Sequence, residues 1–173
     1  MLTGLALAPL AFAQGMVPHS GELGGTFGWS NLRGVDDNTH IAFGGTAGYN
    51  ATARAQVFGE YLYSPEGSFY GLHGKSQWLG GGVRYHFYSR HRISPFVVAA
   101  GGYYTESVGE GGYSYAEHGG YVGGGGGISV LFGHIVVRPE VRYERAMLTG
   151  IAGGGENLLV VTASVLYQFD DRK

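Results

Sequence analysis

The feature that most restricts the fold of this chain is an alternation of charged and uncharged residues in the segment VRPEVRYERA, at residues 137–146. Arg138, Glu140, Arg142 and Glu144 occupy every second position there, although only 14% of the chain is charged. Successive side chains of a β-strand point to opposite faces, so the four charges would share one face of a strand. The residues between them would form a second, mostly apolar face. The segment therefore predicts a strand whose two faces meet very different surroundings.

Alternating segments recur along the chain from about residue 20 onward, separated by Gly, Asn, Asp, Ser or Pro, and no convincing amphipathic helix is found among them. The pattern predicts eight strands, at residues 22–31, 39–49, 52–63, 76–88, 94–105, 118–132, 135–147 and 157–169. Each predicted strand is long enough to cross a bilayer when tilted, which takes about 9–11 residues. The expected fold class is all-β, an eight-stranded antiparallel up-and-down transmembrane β-barrel.

The connections between the predicted strands alternate in length. Those after strands two, four and six are short, with the sequences NA, SRHRI and GH, whereas those after strands one, three, five and seven are long: LRGVDDN, SPEGSFYGLHGK, ESVGEGGYSYAE and LTGIAGGGE. Short turns at one end and long loops at the other are typical of transmembrane barrels, as are the aromatic residues near both strand ends. With both chain ends in the periplasm, the long loops would face the outside of the cell.

The direction of the charged faces follows from how few charges the chain has. Its 11 basic and 13 acidic residues cannot cover the outside of a soluble eight-stranded barrel, so the apolar faces are expected to meet lipid and the charges to point inward. The interior of such a barrel is just wide enough to be filled by side chains. Unpaired charges are costly there, so both signs are needed. The predicted interior charge cluster consists of Arg54, Glu60, Arg84, Arg138, Glu140, Arg142 and Glu144.

Glycine, at 34 residues, is concentrated in the segment GGYVGGGGGISV at residues 119–130. We interpret this segment as a strand whose missing side chains leave room for long arginine or aromatic groups from its neighbours. The alternative is a flexible glycine-rich loop. In the following strand, Pro139 lacks a backbone donor, so a bulge or a missing ladder hydrogen bond is expected beside it.

The first residues differ in character from the rest. LTGLALAPLAFAQ is a short apolar run that ends in Ala11-Phe12-Ala13, a pattern typical of a signal-peptide cleavage site, although no Lys or Arg precedes it. The sequence thus predicts a signal peptide at residues 1–13, with a truncated basic region, followed by a single barrel domain at residues 14–173. A buried N-terminal helix or strand is the alternative.

Three of these segments together resemble a known family. The strand RPEVRYE, the glycine-rich strand before it and the closing LLVVTASVLYQF are similar to those of the small outer-membrane β-barrel family that includes the OmpA transmembrane domain, OmpX and the opacity proteins. The family's last strand carries its assembly signal, and Val165, Tyr167 and Phe169 match that pattern, although DDRK follows here. The resemblance implies an integral protein of the bacterial outer membrane that meets outer-membrane lipid, periplasmic chaperones and the barrel-insertion machinery.

Composition excludes several functions. The net charge of −2 and the absence of a basic run argue against nucleic-acid binding. There is no cysteine, and the seven histidines lack metal-ligand spacing, so no metal site is expected. We also expect no cofactor and no catalytic residue. A lipid-modifying barrel enzyme would need a nucleophile or base near the outer rim, where Ser30, Asp36, Asp37 and His40 are the candidates.

The leading hypothesis is a monomeric, non-enzymatic outer-membrane barrel that serves as a scaffold for surface loops, with a role in envelope integrity, adhesion or surface interaction. A surface ligand would meet residues 64–75, 106–117 and 148–156, where Gly, Ser and Tyr dominate. A narrow pore or small-molecule transporter is the alternative. A soluble calycin-like barrel would need an apolar interior, which the alternating Arg and Glu residues contradict.

Overall fold

A computed structural model describes residues 16–33, 39–69, 72–88, 91–110, 113–149 and 155–169. The predicted signal peptide at residues 1–13 lies outside these ranges. The described residues form eight strands: β1 (Ser20–Arg33), β2 (Thr39–Asn50), β3 (Ala55–Phe69), β4 (Leu72–His86), β5 (Ile93–Glu110), β6 (Tyr113–Phe132), β7 (Ile135–Thr149) and β8 (Gly155–Phe169). In these ranges, no helix has the length and apolar character that spanning a membrane requires.

The eight strands form one closed barrel in which each strand pairs with its neighbours in the chain. All pairs are antiparallel, and β1 closes the barrel on β8 along pairs that run from Gly21 with Phe169 to Arg33 with Asn157. The predicted fold class is therefore confirmed. We call the end that holds the β2–β3, β4–β5 and β6–β7 connections the turn end, and the opposite end the hairpin end.

The predicted strand bounds lie within about three residues of those in the structure at the turn end, but most of the strands were predicted too short at the hairpin end. β3 continues to Phe69 and β4 begins at Leu72, while β5 continues to Glu110 and β6 begins at Tyr113. Most of the predicted loops 64–75 and 106–117 is therefore paired strand, and that prediction was wrong. The reason is that a hairpin satisfies its backbone groups by pairing whatever its side chains are, so strands can continue where apolar alternation stops.

Side chains alternate between the two faces of the wall as a strand requires. The outward face is apolar, and Phe27, Leu79 and Val165 are each more than half exposed on it. The inward face carries charged residues that are almost completely buried: Glu22, Glu60, Arg84, Arg138, Glu140, Arg142 and Glu144. The wall thus separates an apolar exterior from a polar interior.

Inward-facing glycines create the space that large interior side chains fill. The segment at residues 119–130 lies entirely within β6, so it is a strand and not a loop. A Cβ on Gly123 would lie 2.7 Å from Cγ of Glu144, and one on Gly80 would lie 2.2 Å from Oη of Tyr121. The missing side chains therefore admit bulky groups from neighbouring strands.

The pairing of β6 with β7 is interrupted beside Pro139. Gly127 pairs with Glu140 and Val130 pairs with Val137, but Ile128 and Ser129 have no ladder partner in β7. The register is the same on both sides of the gap, so ladder contacts are lost without a bulge. Nε of Arg138 donates a hydrogen bond to Oγ of Ser129 across this gap, at 2.9 Å.

Substitution of Gly80 tests whether the interior is filled. Gly80→Ala is expected to destabilise the barrel by about 1–3 kcal/mol, because the new methyl group overlaps Tyr121 and the carbonyl oxygen of Gly101, at 2.6 Å. The control is Gly120→Ala, whose Cβ would meet only the carbonyl oxygen of Gly102 at 3.7 Å. Urea unfolding in detergent micelles measures both, and equal stability of the two variants would contradict a tightly filled interior.

Candidate functional site

The barrel interior consists of three layers stacked along its axis. At the turn end, Met16 packs with Leu131, Val136 and Leu166. The middle layer holds the charged side chains and, against Arg84 and Arg138, a third apolar cluster made of Phe58, Phe96, Val98 and Ala100. Toward the hairpin end lies a larger apolar cluster made of Leu62, Trp78, Tyr104, Tyr121, Ala146, Leu158 and Val160. The charges are thus enclosed between two apolar layers.

Arg142 is the centre of the middle layer. Its Nη1 forms an ion pair and a hydrogen bond with Oε1 of Glu60. Its Nε lies 3.1 Å from Oε1 of Glu144 and 3.4 Å from Oε1 of Glu140. One guanidinium group therefore attracts three carboxylates from β3 and β7.

Two more arginines complete the ionic network. Nε of Arg84 donates to Oε2 of Glu140 at 2.7 Å, and Nη2 of Arg138 donates to Oε2 of Glu22 at 2.7 Å. The Arg84 guanidinium also lies over the Phe58 ring, 3.5 Å from its centroid. Glu140 bridges Arg84 and Arg142, so the charges of β3, β4 and β7 are joined in one network. All these ionic side chains are at most 4% exposed, which makes the loss of any single partner expensive.

Neutral polar groups extend this network to the turn end. Asn50 donates to Oε1 of Glu22 at 3.0 Å and to Oγ of Ser20 at 2.9 Å. Gln168 also donates to Oγ of Ser20, at 2.9 Å, and the Ser20 hydroxyl donates to the carbonyl oxygen of Val17 at 2.6 Å. These bonds tie the residues before β1 to both β2 and β8.

The segment at residues 16–19 therefore closes the turn end of the barrel. Met16 and Val17 are buried, and His19 has a positive φ of 59°, which turns the chain between this segment and β1. Sequence reasoning gave these residues no role. Their only signal is an apolar pair just before the first alternating strand.

Six of the seven predicted cluster residues lie inside the barrel and belong to this network: Glu60, Arg84, Arg138, Glu140, Arg142 and Glu144. The prediction for Arg54 was wrong. Its side chain is exposed, because β3 begins at Ala55 and not at residue 52, which leaves Arg54 in the turn where strand alternation does not apply. Glu22 was missed, although it belongs to a run of polar or small residues at every second position of β1.

The residues considered for an enzyme do not form an exposed rim site in the described part of the chain. Ser30 is buried on the inward face of β1. His40 is paired with Ser30 in the ladder, and Asp36 and Asp37 lie outside the described residues. Nor do the described residues contain three His, Asp or Glu side chains close enough to hold a metal ion.

The proposed assembly-signal residues share the outward face of β8. Val165, Tyr167 and Phe169 are each about half exposed. Tyr167 contacts the edge of Phe169, with ring centroids 5.0 Å apart, and stacks on His134 of the β6–β7 turn at 5.6 Å. These contacts place an aromatic group at the turn end of the last strand.

Substitution of two glutamates by glutamine tests the order of importance within the network. Glu140→Gln is expected to cost about 3–5 kcal/mol of unfolding free energy, because Arg84 loses the carboxylate bound to its Nε. Glu144→Gln is expected to cost less, since Arg142 keeps Glu60 and Glu140. Urea unfolding of the micellar protein measures both losses. Equal losses would mean that Glu140 does not bridge the two arginines.

Neither a protein-family model nor a curated protein matches the sequence. Solved structures do match the fold. Neisserial surface protein A is 14% identical with a TM-score of 0.68, covering 87% of this chain and 96% of that one. Ail, the attachment invasion locus protein of Yersinia pestis, is 13% identical with a TM-score of 0.57, covering 88% of this chain and 100% of that one. The N-terminal barrel domain of OprF from Pseudomonas aeruginosa is 17% identical with a TM-score of 0.55, covering 88% and 98%. The chain therefore has the fold of the small eight-stranded outer-membrane barrels.

Proposed function

We propose that this chain is a non-enzymatic integral protein of the bacterial outer membrane, in which a closed barrel holds surface hairpins. The observation that carries the proposal is the inside-out arrangement of the wall, with apolar side chains exposed and paired charges enclosed. Its partners would be outer-membrane lipid and, during assembly, periplasmic chaperones and the barrel-insertion machinery.

The outward face has the composition that a lipid environment requires. Large apolar side chains from all eight strands are exposed on it, among them Ile41, Val57, Val83, Val97 and Val122. A contiguous apolar surface of this extent would drive aggregation in water. In lipid it has no such cost, and the closed barrel leaves no unpaired strand edge.

The filled interior argues against a wide channel. The ionic layer lies between the Met16 cluster at one end and the Tyr104–Tyr121 cluster at the other. A hydrated ion would have to displace side chains from all three layers. We therefore favour a scaffold over the alternative of a narrow pore or transporter.

The strands extend furthest at the hairpin end. β5 and β6 are 18 and 20 residues long, well beyond the roughly 9–11 residues that cross a bilayer. With the turn end and both chain ends in the periplasm, these hairpins would project from the cell surface. Among proteins with this fold, Ail is described as an attachment invasion locus protein, and one of its structures holds the heparin analogue sucrose octasulfate. We infer a similar surface role in adhesion or ligand contact for the β3–β4 and β5–β6 hairpins.

Two arginine substitutions on the outward face of β7 test the membrane location. Val141→Arg, at the centre of the strand, is expected to cost about 2–4 kcal/mol in lipid, and Met147→Arg, nearer the hairpin end, about 0–1 kcal/mol. Both native side chains are about half exposed, at 47% and 50%, so burial within the protein does not distinguish them. Unfolding from phospholipid vesicles measures both variants. Equal costs at the two positions would show that the outward face is not embedded in a bilayer.

Shortening the hairpins tests the scaffold role. Replacement of residues 65–75 and of residues 108–115 by Asn-Gly turns joins strand positions that are already paired, Ser64 with Ser76 and Ser107 with Ala116. The barrel is expected to keep its folding and heat-modifiable gel mobility, while attachment of expressing bacteria to cultured host cells is lost. The control is Arg84→Ala, which alters the interior alone. Attachment that survives shortening but is lost in a folded interior variant would overturn the scaffold proposal.

A further inference from the structure

A cleft lies against the outside of the barrel at its turn end. It has a volume of about 540 Å³ and is lined by Tyr88, His91, Arg92 and Ile93, at the connection from β4 to β5. Tyr88 and Ile93 are 59% and 55% exposed, and both continue the apolar outward face. The cleft is shallow and open to its surroundings.

Arg92 is held in place on one wall of this cleft. Its Nε donates to the carbonyl oxygen of Leu131 at 2.9 Å, and the backbone amide of Leu131 donates to the carbonyl oxygen of Arg92 at 2.9 Å. The guanidinium group lies over the Phe132 ring, 4.2 Å from its centroid. A planar cation fixed in this way loses little conformational freedom when it binds an anion.

His91 and Tyr88 add an imidazole and a phenol ring to the lining of the cleft. The His91 ring meets the edge of Tyr88, with centroids 5.9 Å apart, and the His91 backbone amide donates to the Tyr88 carbonyl oxygen at 3.4 Å. Both side chains are exposed. The cleft therefore combines hydrogen-bonding side chains and the positive charge of Arg92 with the apolar side chain of Ile93.

The charges on the described outer surface favour an anionic occupant. Among the residues whose side chains the structure describes, Arg54, Lys75, Arg92 and Arg145 are exposed, whereas no glutamate is. Glu22, Glu60, Glu140 and Glu144 are buried, and Glu106 and Glu117 are half-buried. Acidic groups therefore do not compete for Arg92 on the described outer surface.

We propose that this cleft binds the phosphate of an anionic glycerophospholipid. The phosphate accepts hydrogen bonds from the Arg92 guanidinium, the headgroup contacts His91 and Tyr88, and the acyl chains follow Ile93 and Phe132 along the wall. This inference rests on the proposed function, because it places the turn end at the level of lipid headgroups. The outward face as a whole contacts acyl chains without selecting among lipids, whereas this cleft would select a lipid by its headgroup.

The test uses the full-length folded barrel in detergent micelles, titrated with phosphatidylglycerol and, separately, with phosphatidylcholine, with bound lipids counted by native mass spectrometry. The wild type is expected to retain one phosphatidylglycerol in preference to phosphatidylcholine. Arg92→Gln is expected to weaken that retention roughly tenfold, the effect of one charge-assisted hydrogen bond. Arg54→Gln, which removes an exposed arginine from a neighbouring turn, is expected to have no effect.

Three results would overturn the inference. Equal weakening by Arg92→Gln and Arg54→Gln would show a diffuse charge effect. Competition by millimolar inorganic phosphate would show a site for soluble anions and not for a lipid. Unchanged retention in Arg92→Gln, with heat-modifiable mobility confirming its fold, would remove the site while leaving the membrane proposal intact. If the proposed membrane location is itself wrong, the wild-type protein will not insert into phospholipid vesicles, an outcome that differs from all three.

Discussion

The pairing of Arg142 with three carboxylates is the interaction on which the rest of the barrel depends. A strand register that moved β7 by one residue would exchange its faces and turn Arg138, Glu140, Arg142 and Glu144 outward. The ion pairs to Glu60 on β3 and from Arg84 on β4 would then be lost together. Each of these side chains is almost completely buried, so only the observed register of β7 keeps the charges paired inside the lumen.

Space in the lumen is divided unequally among the strands. β7 contributes four long charged side chains and β3 contributes Phe58, Glu60 and Leu62, whereas β1, β2, β4 and β6 contribute glycines at comparable levels. A barrel of eight strands cannot accept large groups from every wall at once. The inward-facing glycines thus provide the space that the long interior side chains, including the arginines, occupy.

Alternation and sign were sufficient to predict the strand number, the antiparallel order and six of the interior charges. They failed where the alternation has no physical basis. Arg54 lies in a turn, where side-chain direction depends on turn geometry and not on a period of two. Glu22 lies on such an alternating face, but its partner Arg138 is on β7, across the lumen. Neither that contact nor the Met16–Val17 closure leaves a pattern within a single strand. The length of the hairpins could not be predicted either. Beyond the apolar part of the wall the strands still pair through their backbones, but their Gly, Ser and Tyr residues no longer alternate with apolar ones.

The seam between the first and last strands has a consequence for the order of folding. Thr26 of β1 meets Ser164 of β8 at 2.8 Å, and Ser20 meets Gln168, so these contacts join residues 138 and 148 positions apart. Neither of them can form until nearly the whole chain has been delivered, and contacts of such long range make folding slow. A chain interrupted before β8 would leave the seam polar groups of β1 without these partners and an edge without a neighbour. Closure of the barrel therefore requires β8, and we expect a chain truncated before β8 to be more sensitive to proteolysis than the closed barrel.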